Sequence, residues 1–322
     1  MRLTLSALLG MTALITTGIT HGDDSSEIVH LQPVDSQYTT FALSPDSQIV
    51  GAELEHPVTE GETLFRIARH YNLGFRELVA ANPDIDPWFP EAGRKLLIPG
   101  RFVLPKATRE GIVVNLAQRR LFYFPANANQ VLTWPVAIGQ QGHDTPLGET
   151  QITRKRVDPT WVPPPSVREK FDDLPASMPP GPNNPLGSRA LDLGWPAYVI
   201  HGSNLAMGVG ASLSHGCVRM YNRDVEYLYE LVETGTRVTV VEQPVRLARQ
   251  GQQLYMQVSP EWDKVDSRGR ISDDTPADRS LDMQALLELI GEGGEGAANL
   301  DWSVISRTLT DPRGGLVLLG EL

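Results

Sequence analysis

The stretch Ser214-His215-Gly216-Cys217-Val218-Arg219-Met220 holds the most reactive group of the chain, its only cysteine, Cys217. A lone cysteine has no partner for an intrachain disulfide. It is either an inert buried side chain or a thiol kept for reactivity, and its neighbours favour reactivity. Gly216 puts no side chain beside the thiol, so a substrate backbone can come close. Consecutive N–H groups around Gly216 and Cys217 suit the oxyanion of a tetrahedral intermediate. A thiol needs a base, because only a small fraction is thiolate at neutral pH. Nucleophilic attack by an activated thiol, with an oxyanion held by backbone N–H groups, is the chemistry these residues allow.

Two histidines compete as that base. His215 stands two positions before Cys217. On one strand the two would share a face, with Val218 turned to the core, and the imidazole would lie beside the sulfur rather than pointing at it. His201 ends the run Tyr198-Val199-Ile200 and can approach from a neighbouring strand. Geometry mildly favours His201 and leaves both open.

Such a pair needs a β scaffold. Gly111–Leu116, Leu121–Phe124 and Val131–Ile138 are β-branched and aromatic runs bounded by turn residues, and Val238–Val241 is another. They predict a mainly β domain, a sandwich or partly closed barrel. Between residues 159 and 187 the sequence carries nine prolines. That density excludes a central strand or helix and predicts an ordered loop or short-helix insertion over the site. Trp134, Trp161 and Trp195 are expected in the core rather than in a groove. Arg189 and Arg219 are candidates for substrate carboxylates. His143, in Gln141-Gly142-His143-Asp144, is expected to be a solvated turn residue, and His56 a structural one.

Residues 56–100 form a smaller α+β unit. Thr63 precedes Leu64, Ile67, Ala68 and Tyr71 at helical spacing, a second helix stops at Asn82-Pro83, and Leu96–Pro99 closes it as a strand, giving the order β-α-α-β. Before it, residues 21–55 are polar and acidic, with short strands near Thr39–Leu43 and Gln48–Gly51. Residues 1–20 carry Arg2 and a largely apolar run, Leu3–Ile15, short of a membrane span and typical of a signal peptide. Residues 246–322 have no assigned role; Leu254–Val258 reads as a strand, Leu281–Ile290 as a helix and Gly291–Gly296 as flexible. A formal charge of −11 and a pI of about 5.1, with no basic run, exclude a nucleic-acid binder and an anionic membrane surface as partners.

Two resemblances sharpen this. His56-Pro57-Val58, Gly61-Glu62-Thr63-Leu64, Ala81-Asn82-Pro83 and Leu97-Ile98-Pro99 make residues 56–100 resemble a LysM module, which implies binding to N-acetylglucosamine-containing glycan strands. His201-Gly202-Ser203 followed by His215-Gly216-Cys217-Val218-Arg219, with Gly139, Thr145-Pro146-Leu147-Gly148 and Gly181–Gly187, makes residues 101–245 resemble an L,D-transpeptidase of the YkuD type, in the ErfK/YbiS-like group. The resemblance implies Cys217 as nucleophile and His201 as base and acid, oriented by the Gly202 carbonyl. His215, with Gly216 and Ser214, would shape the oxyanion site. Arg219 and Ser203 would meet substrate; the family often has Thr where Ser203 stands, and both carry the hydroxyl.

The implied substrate is a peptidoglycan tetrapeptide stem in the periplasm. Cys217 takes the diaminopimelate acyl group, D-alanine leaves, and an amine accepts. That amine belongs to a second diaminopimelate, giving a 3→3 crosslink, or to a lysine of an outer-membrane lipoprotein. Water as acceptor would make an L,D-carboxypeptidase, and a glycan-binding protein without turnover is the non-enzymatic alternative. A papain-like peptidase would need an Asn-oriented histidine downstream of the cysteine, which is absent. No cofactor is implied and no metal-ligand spacing occurs. Reading residues 56–100 as a separable module predicts that deleting residues 21–100 weakens attachment to sacculi more than it slows soluble stems.

Overall fold

The structure, a computed structural model, describes residues 38–169, 173–266, 281, 283–290 and 299–322. The expected signal peptide and the Gly291–Gly296 stretch lie outside the described residues.

The chain opens with β1 (Thr40–Ala42), β2 (Ile49–Gly51) and β3 (Leu54–Pro57), then α1 (Leu64–His70), α2 (Phe75–Ala81), β4 (Lys95–Ile98) and β5 (Arg101–Val103). Thr63 starts α1 by accepting the Arg66 N–H, which satisfies one donor a helix end leaves free. Leu64, Ile67 and Ala68 recur at helical spacing and are buried. Asn82 ties the end of α2 to β4: its Nδ2 donates to the carbonyls of Leu78 and Leu97, and its Oδ1 accepts the Leu97 N–H. β3 pairs antiparallel with β4, completing the β-α-α-β order read from the sequence.

Next come β6 (Gly111–Asn115), β7 (Arg120–Phe124), β8 (Gln130–Pro135), β9 (Ile138–Gly139), β10 (Gly148–Val157), α3 (Pro165–Arg168), β11 (Arg189–Leu193), β12 (Val199–His201), β13 (Ser212–Ser214), β14 (Val218–Arg219), α4 (Asn222–Leu231) and β15 (Arg237–Val241). One mixed sheet runs β1-β8-β7-β6-β15-β10-β11-β12-β14, so this part is mainly β, as expected. The pairs β6/β15 and β12/β14 are parallel and the others antiparallel.

Every residue of β6 and β7 is buried, because both sheet faces are covered. On one face Ile112, Val114, Leu121, Leu132 and Trp134 pack with Val225 and Leu228 of α4. On the other, Val113, Phe122, Phe124 and Val131 pack with Leu64, Ile67, Leu78, Leu96 and Ile98 of the β-α-α-β unit. Two buried ion pairs tie this unit to the rest of the fold. Arg69 of α1 forks onto Asp224 of α4 at 2.7 and 2.9 Å, with its guanidinium 4.2 Å over the Tyr221 ring. Arg120 of β7 reaches Glu77 of α2 at 2.9 Å. The unit packs directly on the sheet.

The Pro-rich stretch is tied down by Asn184, which is buried and donates from Nδ2 to the carbonyls of Pro159, Met178 and Pro179. Trp161 and Met178 exchange backbone hydrogen bonds. β16 (Val245–Gln250), β17 (Gln253–Val258), α5 (Met283–Ile290), α6 (Trp302–Thr310) and β18 (Leu316–Glu321) follow. They form a three-stranded sheet with a core of its own around Leu254, Met256, Leu286, Ile305 and Leu319.

Candidate active site

His201 closes β12 and pairs with Arg219 across the parallel β12/β14 ladder, while Ile200 pairs with Val218. Ile200 and Val218 are buried in the core. Strand alternation therefore sets His201 and Arg219 on the opposite face, and Cys217, one residue before β14, comes level with Val199 on that same face. The register brings together the thiol and the histidine that the sequence favoured.

His201 is buried, and its Nδ1 lies 2.6 Å from the Gly202 carbonyl oxygen. A carbonyl only accepts, so Nδ1 carries the proton and Nε2 is left as the basic nitrogen. Burial, reinforced by the nearby Arg219 and Arg156 charges, drives the imidazole pKa down to about 3. Cys217 is half-buried, with Sγ 3.6 Å from the Ala197 carbonyl. Burial pushes its thiol up, against the pull of the Val199 N–H and Arg219. Both shifts favour the uncharged forms, a neutral thiol and a neutral imidazole.

Gly216 shapes the turn in front of the thiol. Its φ is +94°, and a Cβ there would meet the Tyr198 ring at 2.5 Å. Only glycine fits both demands. The same bend ends β13 at Ser214, so His215 and Cys217 do not share one strand face. His215 instead turns to His143, with ring centroids 4.3 Å apart. This corrects the reading of His143 as a solvated turn residue: it belongs to the site's surroundings. Nothing in its local sequence signalled this, since the contact joins residues far apart in the chain.

Ser214 is buried and donates from Oγ to the Cys217 carbonyl at 2.5 Å. Thr145 accepts the Gly139 N–H at 3.1 Å and donates to the Gly216 carbonyl at 2.9 Å, pinning the bend from the other side. Asn222, unnoticed in the sequence, holds the base strand. Its Oδ1 accepts the Ser203 N–H at 3.0 Å and its Nδ2 donates to the Ser203 carbonyl at 3.1 Å. A Cβ on Gly202 would meet that Oδ1 at 2.1 Å. Ser203 itself, expected to meet substrate, is buried and closes a turn through Leu205. Arg189 shares its strand face with Leu191 and Leu193, stacks 5.4 Å from the Tyr229 ring, and points away from the thiol. Trp134 is in the core, as expected. Among the described residues no cluster of His, Cys, Asp and Glu could hold a metal.

Known proteins show the same pattern. Residues 109–240 match the L,D-transpeptidase catalytic domain (YkuD) family, and residues 56–99 match the LysM domain. The chain is 40% identical over 215 residues to the probable L,D-transpeptidase YbiS of Escherichia coli strain K12, covering 64% of this chain and 70% of that protein. The chain belongs to the L,D-transpeptidases. This transpeptidase is also 38% identical over 239 residues to the probable L,D-transpeptidase YcfS of the same strain, covering 70% of this chain and 75% of that one. Among solved structures, the catalytic domain of the Enterococcus faecium L,D-transpeptidase is similar at 23% identity with a TM-score of 0.34, covering 42% of this chain and 99% of that one.

Proposed function

We propose that this transpeptidase acts on peptidoglycan in the periplasm, with Cys217 as nucleophile and His201 as general base and acid. The observation that carries the reading is the His201–Gly202 hydrogen bond, which holds the Nδ1–H tautomer of a histidine whose strand face also carries Cys217. A carbonyl here does the orienting work that a carboxylate does in a triad.

In the first half-reaction the Cys217 proton passes to His201 Nε2 as sulfur bonds to the diaminopimelate carbonyl carbon of a tetrapeptide stem. The N–H groups of Gly216 and Cys217 hold the oxyanion. The C–N bond then breaks, and D-alanine leaves with the proton from His201. In the second half an acceptor amine gives a proton to His201 and attacks the thioester, and the thiol is reformed. Arg219, on the same face, completes the donor site. The acceptor is a second diaminopimelate or a lipoprotein lysine. Glycan binding by residues 56–100 is supported by Trp88 and Phe89, exposed on the loop after α2, where aromatic faces can stack on sugar rings. Export is supported by the apolar Leu3–Ile15 run after Arg2.

The test follows intact-protein mass with a diaminopimelate-containing tetrapeptide. The wild type gains the mass of the acyl tripeptide and releases D-alanine, and Cys217→Ala does neither. No adduct and no D-alanine, from folded protein with a titratable thiol, would overturn the assignment.

A further inference from the structure

The face that carries Cys217 and His201 holds charged groups that acyl transfer alone leaves unused. Two rows of paired residues cross β10, β11, β12 and β14. One runs Arg156, Ala190, His201, Arg219; the other runs Arg154, Asp192, Val199 and ends beside Cys217. Residues paired in this way share a face. Two guanidinium groups, those of Arg156 and Arg219, and the Asp192 carboxylate lie near enough to act on the thiol and the base, in a chain of net charge −11.

Arg156 is held in place by Asp192, its Nη2 donating to Oδ1 at 2.6 Å. Its Nε is buried and has no hydrogen-bond partner among the described residues, and the same is true of Arg219 Nε. Ala190 stands between Arg156 and His201 with only a methyl group, so no β11 side chain of any size parts the guanidinium from the base. Buried guanidinium N–H groups without acceptors are costly, and their planar fork matches a carboxylate.

We propose that Arg156, with Arg219 on the far side of His201, is a specificity-determining residue that binds the free terminal carboxylate of the residue leaving from the acyl donor. This rests on the assignment of Cys217 and His201 above. The leaving amine must lie at His201 to receive its proton, and its carboxylate is one carbon removed. It therefore falls in the row where His201 sits between two arginines. Such a site takes stems whose scissile bond is the last and whose end is a free acid. A stem ending in a carboxamide leaves the charged donors unpaired and is rejected.

The experiment measures acylation of the full-length protein by a tetrapeptide donor and by its C-terminal carboxamide. The wild type is expected to prefer the acid at least ten-fold in kcat/KM, mostly through KM. Arg156→Gln is expected to lose most of that preference. The double variant Arg156→Gln/Asp192→Asn is expected to stay equally indiscriminate, although its Asp192 no longer carries a charge to be neutralised. Equal acylation of wild type by acid and amide overturns the inference. So does recovery of the preference in the double variant, because Arg156 would then act only as the counter-ion of Asp192. Failure of the wild type to be acylated by either donor is a different result: it removes the nucleophile assignment, and this inference with it.

Discussion

At the residue scale the site works by withholding charge until it is needed. Burial lowers the His201 pKa to about 3 and raises the Cys217 thiol above its ordinary value, so between those limits neither group is charged. A pre-formed thiolate–imidazolium pair would react with a neutral alkylating agent at a rate that is flat across neutral pH. Here the alkylation rate of Cys217 by iodoacetamide is expected to climb with pH and to level off only above the ordinary thiol range. A plateau between pH 4 and 8 would contradict the neutral pair. The sign for His201 follows from the same shift. The base works unprotonated and its pKa is lowered, so it stays competent as pH falls through 6.5. His201→Ala should lower kcat by about 10²–10⁴-fold, the usual contribution of a positioned base, whereas His143→Ala, which removes a ring packed on His215, should cost far less.

At the element scale, α4 links the base to the N-terminal unit. Its first residue, Asn222, clamps the chain at Ser203, and Asp224 two residues on receives Arg69 from α1. Both partners of that ion pair are buried, at 3% and 4% exposure. Removing one leaves a buried charge without its partner, which costs about 3–5 kcal/mol. Asp224→Ala should lose that much in urea unfolding, while the double replacement Arg69→Met/Asp224→Leu should recover most of it. Failure to recover would mean that the pair contributes more than mutual neutralisation. β10 shows what patterning hides at this scale. Only Ile152 of Gly148–Val157 is buried, so the run Thr-Arg-Lys-Arg-Val at 153–157 gives no alternation of apolar residues. It is a strand because β11 and β15 pair with it on both sides.

At the scale of the whole molecule, the β-α-α-β unit and the transpeptidase sheet share one hydrophobic core. Deleting residues 38–100 would expose Val113, Phe122, Phe124 and Val131, each worth about 1.5–3 kcal/mol when buried. It would also strip Asp224 and Arg120 of their ion-pair partners. The truncated chain is expected to be insoluble or unfolded rather than a soluble catalyst that has lost only its attachment to sacculi. Residues 38–260 should accordingly melt in one transition. Two separate calorimetric transitions, or a soluble and active truncation, would show that the interface is dispensable.

The sequence by itself determined the chemistry and the classes of element. Cys217 has no possible disulfide partner in its chain, Gly216 sits beside it, and both histidines can be read off the page. β-branched and aromatic runs bounded by turn residues mark β6 and β7 and helical spacing marks the two short helices, because those signals are local. The tertiary structure decided what depends on pairing between distant segments. Strand register sets His201 on the Cys217 face, and the ring of His215 lies against His143, which is what supports the proposal of His201 as base. The tertiary structure brought Asn222 to Ser203 and Thr145 to Gly216, residues whose types are common and whose neighbours carry no signal. It also joined the N-terminal unit to the sheet. A continuous apolar strand such as β7 says that both its faces are covered, but only the folded chain says by what.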